Sequence, residues 1–210
     1  MPAPSLSTSI LAHPDRVHRL PHLLRSLKPL RPSVVVDATK GEGNLSAALE
    51  AWAQHAAHGY HLVVQDDALP VPGFAQSAEA ALRVADGAAV AFWMRPWHPD
   101  AHQHARCPPG SLISVRVDEH WPPTVALALP CEHISPLLDH AWRCHPTDVY
   151  DDDVIGCYLA MHHVPLLACS PSIVGHDSSE RSILNHHQRR RRYRSADYLA
   201  VRAPSAWQLA

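Results

Sequence analysis

Acidic residues stand where apolar runs end. Asp37 closes the run SVVVD, Asp66 and Asp67 follow HLVVQ, and Asp151, Asp152 and Asp153 sit side by side ahead of an apolar stretch. Burying a carboxylate at the end of a strand is costly without a partner, so such residues lie at an open edge or hold a cation. Adjacent carboxylates on a strand-end turn suit a hard divalent ion such as Mg²⁺ or Mn²⁺, and through it a diphosphate. The competing use of Asp66 is to cap the turn or helix ahead of Pro70, and position alone weighs the two equally. At Asp151 to Asp153 the acids meet a helix N-terminus, whose dipole favours them. Three in succession nevertheless repel one another, and such crowding can raise one carboxyl into the range of a general base. His176 follows a strand and the turn at Pro171 and Ser172, where a lone histidine is an ordinary loop residue or a ligand.

These residues need a frame that brings strand ends together. Residues 7–12 form a short apolar run, and Val17, Leu20, Leu24 and Leu27 then recur at helical spacing, with Pro21 starting a second helical segment or kinking the first. Residues 33–37 read as a strand, Leu45, Ala48, Leu49 and Trp52 as one face of a helix capped by Asn44, residues 61–65 as a strand and residues 74–84 as a helix. Alternation of this kind predicts right-handed crossovers and a Rossmann-like, mostly parallel sheet flanked by helices, an α/β fold. Further strands are expected at 88–94, 112–117, 125–129 and 166–169, with helices at 134–143 and from Asp151. In such sheets ligands bind beyond the carboxyl ends of the strands, which is where the acids fall.

In their order SILAHPDR, VVVD, HLVVQDDA, YDDDVIGCYL and PSIVGH, these segments resemble the nucleotide-sugar-dependent glycosyltransferases of the GT-A fold, in a form similar to families 2 and 25. The resemblance covers roughly residues 7–180. It implies a UDP-sugar or other nucleoside-diphosphate sugar as donor, with Asp37 contacting the base and Arg16 the diphosphate. It implies Mn²⁺ or Mg²⁺ held by Asp67 with Asp66 and His176. Gln65 stands where the family commonly has an acid, which shifts the weight of metal binding to Asp67. Asp152 is the implied base that takes the acceptor proton, giving inversion, with Asp151 or Asp153 as alternatives.

Other chemistries lack their motifs. No GxGxxG follows the first strand and no GxxxxGK[ST] occurs, which argues against dinucleotide oxidoreductases and P-loop enzymes. His98, His102, His104 and Cys107 have zinc-ligand types, but in a chain with 18 His and 20 Pro a loop over the active site is the better reading. Five cysteines form no CxxC pair and read as reduced thiols, and no signal peptide or membrane-spanning run is visible, so a cytoplasmic protein is expected.

Basic and acidic totals of 18 and 20 nearly cancel, so the one concentrated basic patch is Arg189, Arg190, Arg191 and Arg192. We expect a catalytic domain over 1–188 and a basic tail over 189–210. The arginines suit an acceptor that is a polyanion, for example hydroxymethylated pyrimidine in phage DNA. A glycan or natural-product acceptor, or a non-enzymatic nucleic-acid-binding protein, are the alternatives.

Overall fold

Alternating side chains send each strand's residues to two faces, and in this chain both faces are apolar. A computed structural model describes residues 5–37, 44–94, 106–117, 122–144, 150–177, 200 and 202–210. Arg189 to Arg192 and His98, His102 and His104 lie outside the described residues.

The strands are β1 (Leu6–Ala12), β2 (Ser33–Val36), β3 (Tyr60–Gln65), β4 (Ala68–Pro70), β5 (Ala89–Ala91), β6 (Ser111–Val115), β7 (Ala126–Pro130), β8 (Leu166–Ser170), β9 (Val174–His176) and β10 (Gln208–Leu209). The helices are α1 (Leu20–Ser26), α2 (Leu45–Ala53), α3 (Phe74–Ala85), α4 (Ile134–Cys144) and α5 (Asp151–Met161), and a 3₁₀ turn over Pro14–Arg19 precedes α1. Eight strands form one sheet in the order β10-β6-β8-β5-β7-β3-β1-β2. β1 runs parallel to β2 and β3, β5 parallel to β8 and β6 parallel to β10, while β7 runs antiparallel between β3 and β5 and β6 runs antiparallel to β8. Strands β1, β2, β3, β5 and β8 therefore all end at one edge. This is a Rossmann-like α/β sheet with helices on both faces.

Ile10, Leu62, Val64 and Ala128 pack on one face with Leu23 of α1, Leu27 just after it and Phe74 of α3. Their neighbours Leu11, Val63 and Leu129 pack on the other with Trp52 of α2, Leu137 of α4 and Tyr158 of α5. α5 covers the sheet and returns through a short turn into β8, so it begins at the edge where β8 ends. The acids at strand ends and at the start of α5 thus share one edge.

Local departures from the sequence reading have identifiable causes. Pro21 opens α1 rather than kinking a longer helix, because a proline is tolerated in the first turn. The buried face there is Leu23 and Leu27, and Val17 and Leu24 are exposed. Asn44 occupies the N-cap position of α2 but makes no side-chain cap, since its amide is used elsewhere.

The short pair β4 and β9, invisible as periodicity, is antiparallel and sets Ala68 opposite His176. The end of the expected basic tail belongs to the sheet: β10 pairs with β6, and the buried Trp207 donates from Nε1 to Ser77 Oγ at 3.0 Å. Among the described residues no helix is long and apolar enough to cross a membrane.

Emptying the Trp207 site leaves a cavity under the C-terminal strand. Trp207→Ala is expected to cost roughly 3–5 kcal/mol in urea unfolding. Trp142→Ala removes a side chain that is 70% exposed and should move stability by no more than about 0.5 kcal/mol. Equal small losses from both would mean that the C-terminal segment is not docked.

Candidate functional site

The chain leaving β1 folds back at once. His13 caps the 3₁₀ turn by accepting from the Asp15 amide at 3.2 Å, and Pro14 stands in the first helical turn, so His13-Pro14-Asp15 serves as a cap and helix start. This turn aims Arg16 back across the sheet edge at the residues after β3. Arg16 is 7% exposed, and its Nη1 donates to Asp66 Oδ1 at 3.1 Å and to Asp67 Oδ2 at 2.9 Å. The His13 amide donates to Asp66 Oδ2 at 2.6 Å, so both oxygens of Asp66 are engaged and it caps neither the turn nor the helix before Pro70.

His176 arrives from the other direction. The β4–β9 pairing, extended by the Asp177 amide donating to the Asp67 carbonyl at 2.8 Å, sets the His176 ring against Asp67, with Nε2 3.2 Å from Oδ2. Trp93 packs against the His176 ring with centroids 5.3 Å apart. Asp67 is 8% exposed, and its Oδ1 is buried with no hydrogen-bond partner among the described residues.

The two acids differ in charge preference. Burial and the neighbouring Asp67 push the Asp66 carboxyl up, against the His13 amide and Arg16. Burial would also raise Asp67, but hydrogen bonding and charge from His176 and Arg16 more than offset it and hold this carboxyl below the usual range.

Asp37 lies on the same edge, buried, with its amide donating to the Ala12 carbonyl at 2.8 Å. Asp151, Asp152 and Asp153 open α5 there as well. Asp151 is 5% exposed and is clasped by Asn44, whose Nδ2 donates to its Oδ1 at 2.8 Å while the Asp151 amide donates to Asn44 Oδ1 at 3.1 Å. Burial, then the neighbouring Asp152, push the Asp151 carboxyl up to about 7. Asp152 and Asp153 are half-buried, and the Asp153 amide donates to Asp152 Oδ1 at 3.1 Å.

Arg16, Asp66, Asp67 and His176 therefore form one bonded cluster. Asp37 and Asp151 to Asp153 stand on the same sheet edge. Among the described residues, no three His, Cys, Asp or Glu side chains converge as a ready metal cage. A pocket of about 300 Å³ opens beside Asp66, walled by His18, Arg19, His22, Leu69 and Asp177.

Sequence reasoning missed Asn44 as the partner of Asp151, and Arg19, which is ion-paired with Asp177. Asn44 gives no sequence signal for a contact across 107 residues. Arg19 follows Arg16 by three residues, a spacing that puts both on one side of the helical turn.

No family model and no curated protein matches the chain. Solved structures that match include a candidate glucose-1-phosphate thymidylyltransferase from Bacillus anthracis in complex with sucrose, at a TM-score of 0.44 and 11% identity, over 79% of this chain and 87% of that one. Another is the inositol-1-phosphate CTP transferase from T. maritima, at a TM-score of 0.42 and 10% identity, over 78% and 66% of the two chains. Likeness at this level assigns neither a family nor an activity.

The raised Asp151 carboxyl makes stability depend on pH. Below about pH 4 it is protonated in folded and unfolded chains alike; above that the unfolded chain releases the proton first, and stability drains away until about pH 7. Asp151→Asn keeps an oxygen for Asn44 and removes the titration. It should be more stable than wild type by roughly 2–4 kcal/mol at pH 8, with the gain vanishing near pH 4. Parallel stability curves for the two proteins would contradict the raised pKa.

Proposed function

We propose that the chain transfers a glycosyl group from a nucleoside-diphosphate sugar, such as a UDP-sugar, to an acceptor hydroxyl. The observation that carries this reading is the buried Asp66–Asp67 pair at the end of β3, held with Arg16 and His176 on the same sheet edge as the Asp151 carboxyl. The donor set suits Mg²⁺ or Mn²⁺. Asp67 keeps a buried oxygen without a partner among the described residues, and such ions bind through one or two protein ligands and fill the remaining positions with water and substrate phosphate. Asp67 and His176 would hold the ion, with Asp66 beside them, and when bound it stabilises charge developing on the departing diphosphate.

The chain's own residues do the rest. Asp37 contacts the base of the donor from the end of β2. Arg16 supplies a cationic, bidentate-capable grip for the diphosphate. Asp152, half-buried at the start of α5, accepts the proton of the acceptor hydroxyl as its oxygen bonds to the anomeric carbon. The bond to the diphosphate breaks on the opposite side, so configuration inverts. Asp151 or Asp153 is the alternative base, and the Asn44 clasp ties the start of α5 to the start of α2.

Arg189 to Arg192 would hold an anionic acceptor such as hydroxymethylated DNA. A glycan or natural-product acceptor uses the same chemistry. The same arginine run is the observation that favours a second reading, a nucleic-acid-binding protein without transferase activity.

Donor binding decides the first reading. In a thermal-shift panel of nucleotide sugars with Mn²⁺ or Mg²⁺, one donor at ~100 times its Kd adds about 2.7 kcal/mol of stability. That gain should vanish with EDTA and in Asp67→Ala. Failure of every donor to stabilise the folded protein would sink the transferase reading. The second reading is tested on random DNA. Because Trp207 and β10 follow the arginines, these are replaced by glutamine rather than cut away. A polyanion grip predicts salt-sensitive binding that the replacement abolishes, and unchanged binding would remove the arginines from any such role.

A further inference from the structure

One nitrogen of Arg16 bridges both acids. Its Nη1 lies 3.1 Å from Asp66 Oδ1 and 2.9 Å from Asp67 Oδ2, and the side chain is 8% exposed. That nitrogen sits where a cation shared by the two carboxylates would sit. A divalent ion bonded to Asp67 approaches its oxygens more closely than an N–H donor does, and carries twice the charge of the guanidinium it would adjoin. The two cations repel at this separation, inside a buried site where solvent and salt screen them little. The acids cannot be left bare either, because two adjacent buried carboxylates without a counter-charge are strongly unfavourable.

We propose that Arg16 is the resident counter-cation of the Asp66–Asp67 pair, that a divalent ion takes its place, and that the displaced guanidinium becomes the grip on the donor's diphosphate. This rests on the transferase reading and adds an order to it: metal first, donor second. Charge conservation supports the exchange. The ion and the diphosphate of a nucleotide sugar bring equal and opposite charge, so the loaded site carries the same net charge as the unloaded one, and Arg16 remains paired in both. Asp67 Oδ1, without a partner among the described residues, and the His176 ring on Oδ2 give the ion its protein contacts once the guanidinium has moved.

The test reads metal binding directly. Mn²⁺ is titrated into wild type, Arg16→Met and Arg16→Lys without nucleotide, and free Mn²⁺ is followed by its EPR signal. With no guanidinium to displace, Arg16→Met should bind Mn²⁺ at least ~10-fold more tightly than wild type, an ordinary magnitude for coupling between two ligands. At saturating Mn²⁺ its affinity for the best of UDP, GDP, CDP and dTDP should fall by about 10-fold, the cost of losing a charged hydrogen-bond partner. Arg16→Lys keeps the counter-charge, so its Mn²⁺ affinity should stay near wild type while nucleotide affinity falls.

Equal or weaker Mn²⁺ binding by Arg16→Met, with nucleotide binding intact in wild type, overturns the exchange alone. Absence of nucleotide binding by wild type, with or without Mn²⁺, overturns the proposed function and the exchange with it. Should Arg16→Met fail to fold, the ¹⁵N-guanidinium resonance of Arg16 in wild type, identified by its loss in Arg16→Lys, is followed during Mg²⁺ titration. A shift that saturates with Mg²⁺ is expected, and an unmoved resonance at saturation overturns the proposal.

Discussion

Two neighbouring carboxylates buried at the end of β3 are the constraint on which the rest of the site depends. Nothing in a hydrophobic sheet pays for them, so compensation must be brought from elsewhere in the chain. Arg16 comes from the turn after β1, the His13 amide from the same turn, and His176 from β9. Each of these requires a particular piece of fold: the parallel pairing of β1 and β3, the early 3₁₀ turn started by Pro14, and the small β4–β9 ladder. A fold built only for stability would place apolar residues at this point. Two acids buried there, one with an oxygen that has no partner among the described residues, are what the proposed site is built on.

A second link ties the remaining acids to this edge. Asn44, just after the segment that follows Asp37, gives its whole side chain to Asp151 instead of capping its own helix. The arrangement satisfies the first amide of α5, which has no cap of its own at Tyr150, and it fixes the Asp151 carboxyl in a dry environment. The starts of α2 and α5 are thereby tied together. In the proposed reaction the start of α5 handles the acceptor's proton.

Much of the frame was legible in the residues. The β-branched runs at β2 and β3, the apolar face of α2 and the amphipathic pattern of α3 are strong local signals, and they place Asp37, Asp66 and Asp67 at strand ends without further information. The start of α5 was legible from its three acids. What was hidden depends on contacts distant in sequence. β4 and β9 are three residues each, too short for a period to appear, yet they create the His176–Asp67 contact. β10 is shorter still and falls in the stretch read as a basic tail, although Trp207 within it is buried. The face of α1 was misjudged because Pro21 divides the segment, and the 3₁₀ turn ahead of it rotates Val17 outward. Arg16 was read as a contact for a donor's diphosphate; its pairing with both acids is a tertiary fact.

The central claim is that the Asp66–Asp67–Arg16–His176 cluster is where a cation and a nucleotide diphosphate meet. The most direct measurement is an anomalous difference map from crystals grown with Mn²⁺ and UDP. The account predicts one Mn²⁺ peak at bonding distance from an Asp67 oxygen, with the diphosphate against it and the Arg16 guanidinium turned from the acids to the phosphates. Mn²⁺ and diphosphate bound together at another place, with Arg16 still seated on Asp66 and Asp67, would contradict it.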